Sequence, residues 1–368
     1  MFVLFGFWFL LGQRREIWFW SGFFIGLLWF YWISFSFVYY DLAYMIPLVL
    51  LGIALVYGYL FWLIAFLGKN IFFQALFLLG VSFISPFGFN WLILELPLLH
   101  SFFAPTTLSL ALILGSLVLL KVTPKWYKLS ALILLAFAIN TPHKKPPSPV
   151  LLDVALPVMH IPQSQRWDKA YQQKAISLNF SYIEKAIEEG KKLIVLPESA
   201  FPLYLNQEPF ILDALRSYSY HIGIIAGALT YEESKVFNSS YFFNEGEMEI
   251  AHKIILVPFG EEVPLPEVLV KVINKLFFNG AQDYEKAKNP HDFILKNISI
   301  RSAICFEATA DKLYEKSPTH MVAISNNAWF HPSIESTLQY LLLEYYAKKY
   351  HTVIYHSANA GKSGVIVP

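Results

Sequence analysis

Asn140-Thr141-Pro142-His143-Lys144-Lys145-Pro146-Pro147-Ser148-Pro149 divides the chain into two unlike halves. Its clustered prolines cannot continue a helix and make a stiff tether, so a domain boundary falls here. Upstream the sequence is apolar almost without interruption. Downstream it has the charge density and turn punctuation of a globular enzyme.

Over the whole chain of 368 residues, 56% are hydrophobic and only 15% charged, which is too apolar for an ordinary soluble domain. Part of the protein is therefore expected in lipid. The 28 Lys+Arg residues against 27 Asp+Glu give a formal charge of +1, so nothing in the balance points to nucleic acid. A single cysteine excludes an intramolecular disulfide and cysteine-based zinc sites. The ten histidines show no ligand spacing, and no metal or cofactor is expected.

Working back from the tether, apolar stretches near the roughly 20 residues that a spanning helix needs fall at about 126–140, 101–120, 71–90, 43–67 and 17–39. Met1 to Leu11 forms a shorter sixth. It lacks a basic leader and a small-residue cleavage site, so it reads as a helix stub rather than a removable signal peptide. Five to six spans are expected over residues 1–140. The loops at Gln13-Arg14-Arg15-Glu16, Lys69-Asn70 and Lys121 to Lys128 are basic, and those at Tyr40-Asp41 and Glu95 to His100 are not. Basic short loops stay cytoplasmic, which places everything after residue 140 on the far side; two half-helices across 71–100 would reverse that count. The aromatic residues crowding the spans read as lipid-facing or belt positions. No Asp, Glu, Lys or Arg sits in mid-span, which argues against a transporter.

Working forward from the tether, Val150 to Leu156 reads as a short strand. Trp167, Tyr171, Ala175, Leu178, Ile183, Ala186 and Ile187 recur at helical spacing until Gly190 closes the helix. Leu193-Ile194-Val195-Leu196 reads as a buried strand, with further strands at 222–226, 239–243, 298–305 and 321–325. Helices are expected near 207–218, 265–277, 308–316 and 334–349. Alternating strands and helices predict a layered α/β domain over 150–368, with 141–149 as linker.

Reactive side chains gather at element ends. Pro197-Glu198-Ser199 follows one strand, Cys305-Phe306-Glu307 ends another, and His252-Lys253 precedes the apolar run Ile254-Ile255-Leu256-Val257, which reads as a strand. A carboxylate, an amine and a thiol suit nucleophilic acyl transfer: a base takes the thiol proton, and a cation stabilises the oxyanion of the tetrahedral intermediate. The bland readings are that Cys305 is a small buried hydrophobe, that Glu198 is a solvated loop acid, and that Lys253 is a surface lysine of little consequence for stability.

Leu196-Pro197-Glu198-Ser199, Lys253 with Leu256-Val257-Pro258-Phe259-Gly260-Glu261 and Val263-Pro264, Cys305-Phe306-Glu307, and Ser325-Asn326-Asn327-Ala328-Trp329-Phe330 together resemble the apolipoprotein N-acyltransferases. Gln163 and Arg166-Trp167-Asp168 resemble a segment near the start of that family's catalytic domain. The resemblance implies an αββα nitrilase-like sandwich beside a multi-span α-helical membrane domain, with the catalytic domain on the periplasmic face of a bacterial inner membrane. It implies a ping-pong reaction. Cys305 takes an acyl chain from a phospholipid, typically phosphatidylethanolamine, as a thioester, and the α-amino group of a diacylglyceryl-cysteine at a lipoprotein N-terminus then attacks it. Glu198 is the implied general base and Lys253 the oxyanion donor with the backbone N–H of Phe306. Glu261 and Glu307 are implied supporting carboxylates, and Trp167 handles substrate. Asn326 and Asn327 read as turn-makers.

The pattern departs from the family at Phe306, where a tyrosine is usual, at Asn327, where an aspartate is usual, and at Ala251, where a tyrosine is common. The family's closing hairpin and final membrane helix are not expected in a chain that stops at Pro368. A membrane-anchored amidase using water as acceptor, or an inactive scaffold binding lipids or lipoproteins, are the competing functions.

Overall fold

The computed structural model describes residues 2–140, 149–165, 168–258, 260–262 and 284–368. The chain forms two compact units, Met1–Pro146 and Pro147–Pro368. The tether residues 141–148, the helix expected at 265–277, and Trp167 lie outside the described residues.

The first unit contains α1 (Phe2–Leu10), α2 (Arg15–Phe30), α3 (Ile46–Leu67), α4 (Ile71–Leu79), α5 (Thr107–Val122) and α6 (Lys128–Phe137). Three helical stretches are long and apolar enough to cross a membrane: Arg15–Tyr40, Ala43–Leu67 and Ile71–Gly88. The first and third are completed by 3-10 turns. Where stretches are expected at 101–120 and 126–140, the helices are α5 of 16 residues and α6 of 10, both short of a full span. Between α4 and α5 the chain runs through turns and irregular backbone, which apolarity alone could not distinguish from helix.

Helices α2 and α3 pack through Gly22 and Gly26. A Cβ at Gly22 would lie 2.3 Å from the carbonyl oxygen of Tyr57, and one at Gly26 would lie 2.8 Å from Tyr57 Cβ. Two glycines four residues apart thus let the backbones meet, the device that substitutes for hydrophobic drive between apolar helices. Phe30 and Tyr57 stack across the same contact with ring centroids 4.8 Å apart.

The second unit is built on two sheets. The first holds β1 (Val154–Ala155), β2 (Leu193–Val195), β3 (Phe201–Tyr204), β4 (Gly223–Glu232), β5 (Lys235–Asn244) and β6 (Glu247–His252). Its order is β1-β2-β4-β5-β6, with β3 also paired to β4. The second sheet holds β7 (Asp292–Leu295), β8 (Ile298–Ile304), β9 (His320–Asn326), β10 (Val353–Asn359) and β11 (Gly364–Ile366), in the order β11-β10-β9-β8-β7. Each sheet joins a parallel run to antiparallel strands: β1, β2 and β4 are parallel and β3 pairs parallel with β4, while β8, β9 and β10 are parallel in the second sheet.

Alternation along β2 shows how the layers form. Leu193 and Val195 join Ile225, Phe293, Ile304 and Val322 in the core between the sheets. Ile194 and Leu196 point the other way, joining Ile183 of α7 (Lys169–Glu188) and Leu215 of α8 (Pro209–Ser219). Helix α9 (Glu335–Tyr350) packs against β10 and β11 and against the turn after β8. The result is an αββα sandwich.

Two of the expected elements differ. The apolar run 254–257 is a turn and loop rather than a strand, so Lys253 follows the end of β6 instead of opening a strand. Residues 308–316 form no α-helix; the backbone there makes two 3-10 turns, Cys305–Thr309 and Asp311–Tyr314. Tyr314 Oη donates to the Ala308 carbonyl at 2.8 Å and Arg301 Nη1 to the Leu313 carbonyl at 2.6 Å, so side chains take over what helical N–H groups would satisfy.

Candidate active site

The carboxyl ends of β2 and β8 each turn sharply at a single residue. Ser199, beside Glu198, has φ +51°, and Cys305, directly after β8, has φ +55°. A non-glycine residue in the left-handed region costs roughly 1–3 kcal/mol, a strain found where a side chain must be aimed. Gly227 of β4 makes room for the first turn, because a Cβ there would lie 2.6 Å from Glu198 Cα and from Ser199 N.

Glu198, Lys253, Glu261 and Cys305 are brought together. Lys253 is fully buried. Its Nζ lies 2.7 Å from Glu261 Oε2 and 3.9 Å from Glu198 Oε1. Its backbone is fixed on both sides, the N–H donating to the Asn238 carbonyl at 2.9 Å and the carbonyl accepting from Ala287 N–H at 2.9 Å. Asn238 of β5 links the two acids: its Nδ2 donates to Glu198 Oε1 at 2.7 Å and to Glu261 Oε1 at 2.8 Å. Val257 N–H donates to Glu261 Oε2 at 2.8 Å. Nothing in the local sequence around Asn238 announces this role, which arises from strand register alone.

Glu307 is a brace. Its Oε2 accepts from the backbone N–H groups of Ile254 at 2.7 Å and Ile255 at 3.1 Å, and its Oε1 from Ile304 N–H at 2.8 Å. One carboxyl group thereby ties the loop after Lys253 to the turn that carries Cys305. Burial pushes the Glu307 carboxyl up to about 7, against the Lys253 charge and these three N–H groups, which favour the anion.

Burial opposes the charge on Lys253, but the Coulombic pull of Glu261, then Glu198 and Cys305, outweighs it and holds the amine above its ordinary value. The lysine is a standing cation. Cys305 retains some accessible surface. Burial raises its thiol well above the ordinary value and Glu198 raises it further, while Lys253 acts in the opposite sense. The resting sulfur therefore holds its proton, and a base must remove it during attack.

The turn-forming asparagines do more than expected. Asn326 Oδ1 lies 3.4 Å from Ala328 N–H, in the manner of a turn cap. Yet Asn326 Nδ2 also donates to Gln163 Oε1 at 2.8 Å, and Asn359 Nδ2 donates to Asn326 Oδ1 at 2.9 Å, stitching the ends of β9 and β10 to the segment before α7. Asn327 is buried among side chains of α9. Phe306 is buried beside Cys305.

Residues 1–141 match the model of the apolipoprotein N-acyltransferase integral membrane domain. The apolipoprotein N-acyltransferase of Wolinella succinogenes is 49% identical over 364 residues, spanning 98% of this chain and 87% of that protein. The chain belongs to the apolipoprotein N-acyltransferase family. The Helicobacter pylori family member is 40% identical over 352 residues, 94% of this chain and 82% of its own length. Among solved structures, a CN-hydrolase superfamily protein from Xanthomonas campestris aligns at 14% identity with a TM-score of 0.41, covering 57% of this chain and 77% of that one. The protein is thus a membrane acyltransferase whose second unit carries the α/β sandwich.

Proposed function

We propose that the enzyme transfers an acyl chain from a phospholipid, through a thioester on Cys305, to the free α-amino group of a diacylglyceryl-cysteine at a lipoprotein N-terminus. The observation that carries this reading is the fully buried Lys253 held between Glu261 and Glu198 while both Glu198 and Lys253 act on the Cys305 thiol. A thiol, an acid positioned to remove its proton and a fixed cation are what acyl transfer requires.

In the first half-reaction Glu198 takes the thiol proton as the sulfur pair bonds to the ester carbonyl carbon. Lys253 and the backbone N–H of Phe306 hold the oxyanion. The carbon–oxygen bond to glycerol breaks, and Glu198 returns the proton to the departing oxygen, giving a lysophospholipid. In the second half the amine nitrogen attacks the thioester carbon. The carbon–nitrogen bond forms, the carbon–sulfur bond breaks with the pair on sulfur, and Glu198 passes the amine proton to it. Glu261 fixes Lys253, Glu307 braces the turn, and Trp167 contacts substrate. Phosphatidylethanolamine is the proposed donor.

Incubating the purified protein with fluorescent phospholipid and a diacylated lipopeptide should yield a triacylated product. A fluorescent free fatty acid alone would instead indicate water as acceptor and overturn the transferase reading.

For the same reaction to meet exported lipoproteins, we place residues 150–368 in the periplasm of a bacterial inner-membrane protein, with residues 1–140 as its membrane domain and 141–149 as linker. A reporter active only in the periplasm should light up when fused after Lys145. Activity of a cytoplasmic reporter alone at that junction would contradict the orientation.

A further inference from the structure

Glu198 and Lys253 do not account for all the polar groups at the sulfur. Gln339, fully buried on α9, directs Nε2 at Cys305 Sγ with a separation of 3.6 Å. Two residues determine which end of that amide faces the thiol. Asn327 Nδ2 donates to Gln339 Oε1 at 2.9 Å, and also to the Glu335 carboxyl at 2.8 and 3.1 Å. Were the Gln339 amide turned over, its NH2 would face the NH2 of Asn327, a donor against a donor. Asn327 therefore fixes oxygen inward and nitrogen toward sulfur. Glu335 in turn holds Asn327, and it lies one helical turn before Gln339 on the same face of α9. All three side chains are at least nine-tenths buried, so water cannot substitute for these partners.

We propose that Gln339, oriented by Asn327 and Glu335, is a hydrogen-bond donor to the Cys305 sulfur that stabilises the thiolate both as it forms and as it departs from the thioester. The proposal rests on the acyl-transfer reading for its place in the reaction. Sulfur gains negative charge twice in that cycle, once when Glu198 takes its proton and once when the carbon–sulfur bond breaks. Lys253 serves the carbonyl oxygen, leaving the sulfur in need of a donor of its own. A neutral amide supplies one without a second cation that would compete for Glu198. Gln339 is thus a catalytic residue, and Asn327 and Glu335 are positioning residues. Burial pushes the Glu335 carboxyl up to about 8, against the Asn327 hydrogen bond and with help from the Glu198 charge, so it holds a proton at neutral pH. That keeps a further negative charge away from the sulfur.

Cys305 is the only cysteine, so alkylation of the full-length protein by iodoacetamide reports on this thiol alone. A hydrogen bond donated to the sulfur favours the thiolate over the thiol, and one pH unit represents a factor of ten in ionisation. Gln339→Met, which keeps the length and removes the donor, should displace the alkylation profile between pH 6 and 11 upward by about one unit. At pH 8 the rate should then fall about tenfold. Glu335→Gln keeps an acceptor for Asn327 and cannot ionise; it should move the profile downward, because above about pH 8 the ionised Glu335 carboxylate raises the thiol. A purely structural role would not give opposite signs. Should Gln339→Met fail to fold, Asn327→Ser leaves Gln339 in place but unoriented, and its profile should rise by a smaller amount. A profile that is unmoved or lowered in Gln339→Met, or in Asn327→Ser where that is the variant that folds, would overturn the proposal. Alkylation needs no lipid, so variants that show these shifts beside a wild-type protein that never takes an acyl group would refute the transferase reading alone.

Discussion

Replacing Glu198 by glutamine is expected to slow acylation of Cys305 by about 10²–10⁴-fold, the usual worth of a positioned general base. The substitution is close to isosteric, and an amide oxygen can still accept from Asn238 Nδ2, as Glu198 Oε1 does at 2.7 Å. The surroundings should therefore persist. What is lost is the proton acceptor, and the loss is large because burial, the main cause of the raised thiol, persists when the Glu198 charge is gone. A preformed thiolate would tolerate the change; a resting thiol does not. The measurement is the rate at which the intact protein gains one acyl mass from phospholipid. Cys305→Ala should gain none, and Cys305→Ser should at best form a slow ester, since an alkoxide is harder to generate than a thiolate. Acylation of Glu198→Gln within tenfold of wild type would remove Glu198 from the role of base.

The second large effect concerns Lys253, and here the burial of the side chain revises the expectation from sequence. A surface lysine could be removed at little cost to the fold. Lys253 is instead fully buried between Glu261 at 2.7 Å and Glu198 at 3.9 Å. Removing one partner of a buried ion pair typically costs about 3–5 kcal/mol, because the other charge is left uncompensated. Lys253→Ala should thus lose both stability and acylation, the latter by about 10²–10³-fold if the ammonium serves the oxyanion. Lys253→Arg should also fail, since a planar guanidinium does not fit the space of a compact ammonium. The two losses can be separated. Lys253→Met combined with Glu261→Gln removes the nearer of the two stranded charges, so the thermal midpoint should recover part of its drop while acylation stays lost. Recovery of acylation in the double variant would mean that Lys253 serves the fold alone.

Part of this architecture was legible in the sequence because the physics was local. The run Leu193–Leu196 could only be a buried strand, and the turns at Glu198 and Cys305 follow from strands that end there. β5 and β8 were legible, but their antiparallel partners β6 and β7 were not. β5, β6 and β8 are entered through two-residue turns at Glu233-Ser234, Glu245-Gly246 and Lys296-Asn297, all with positive φ at both residues. That geometry favours Asn-Gly or Asp-Gly, and none of the three uses that signal. The run 254–257 was misleading for a different reason. It has the composition of a strand, but the N–H groups of Ile254, Ile255 and Val257 are engaged by the carboxylates of Glu307 and Glu261 rather than by a neighbouring strand. Asn238, Asn327, Glu335 and Gln339 were invisible or misread because their partners lie in other elements. Hydropathy located the membrane half but could not reveal that α5 and α6 stop short of a full span.

The central claim is that Cys305 carries the acyl group between two substrates, and one mass measurement tests it most directly. Wild-type protein given phospholipid alone should gain the mass of one fatty acyl group, and hydroxylamine should remove it, as a thioester requires. A peptide with a free amino-terminal diacylglyceryl-cysteine should then discharge the acyl group and emerge triacylated, whereas the same peptide with its amine acetylated should not. Persistence of the acyl mass in Cys305→Ala, or discharge by water as fast as by the lipopeptide, would contradict the account.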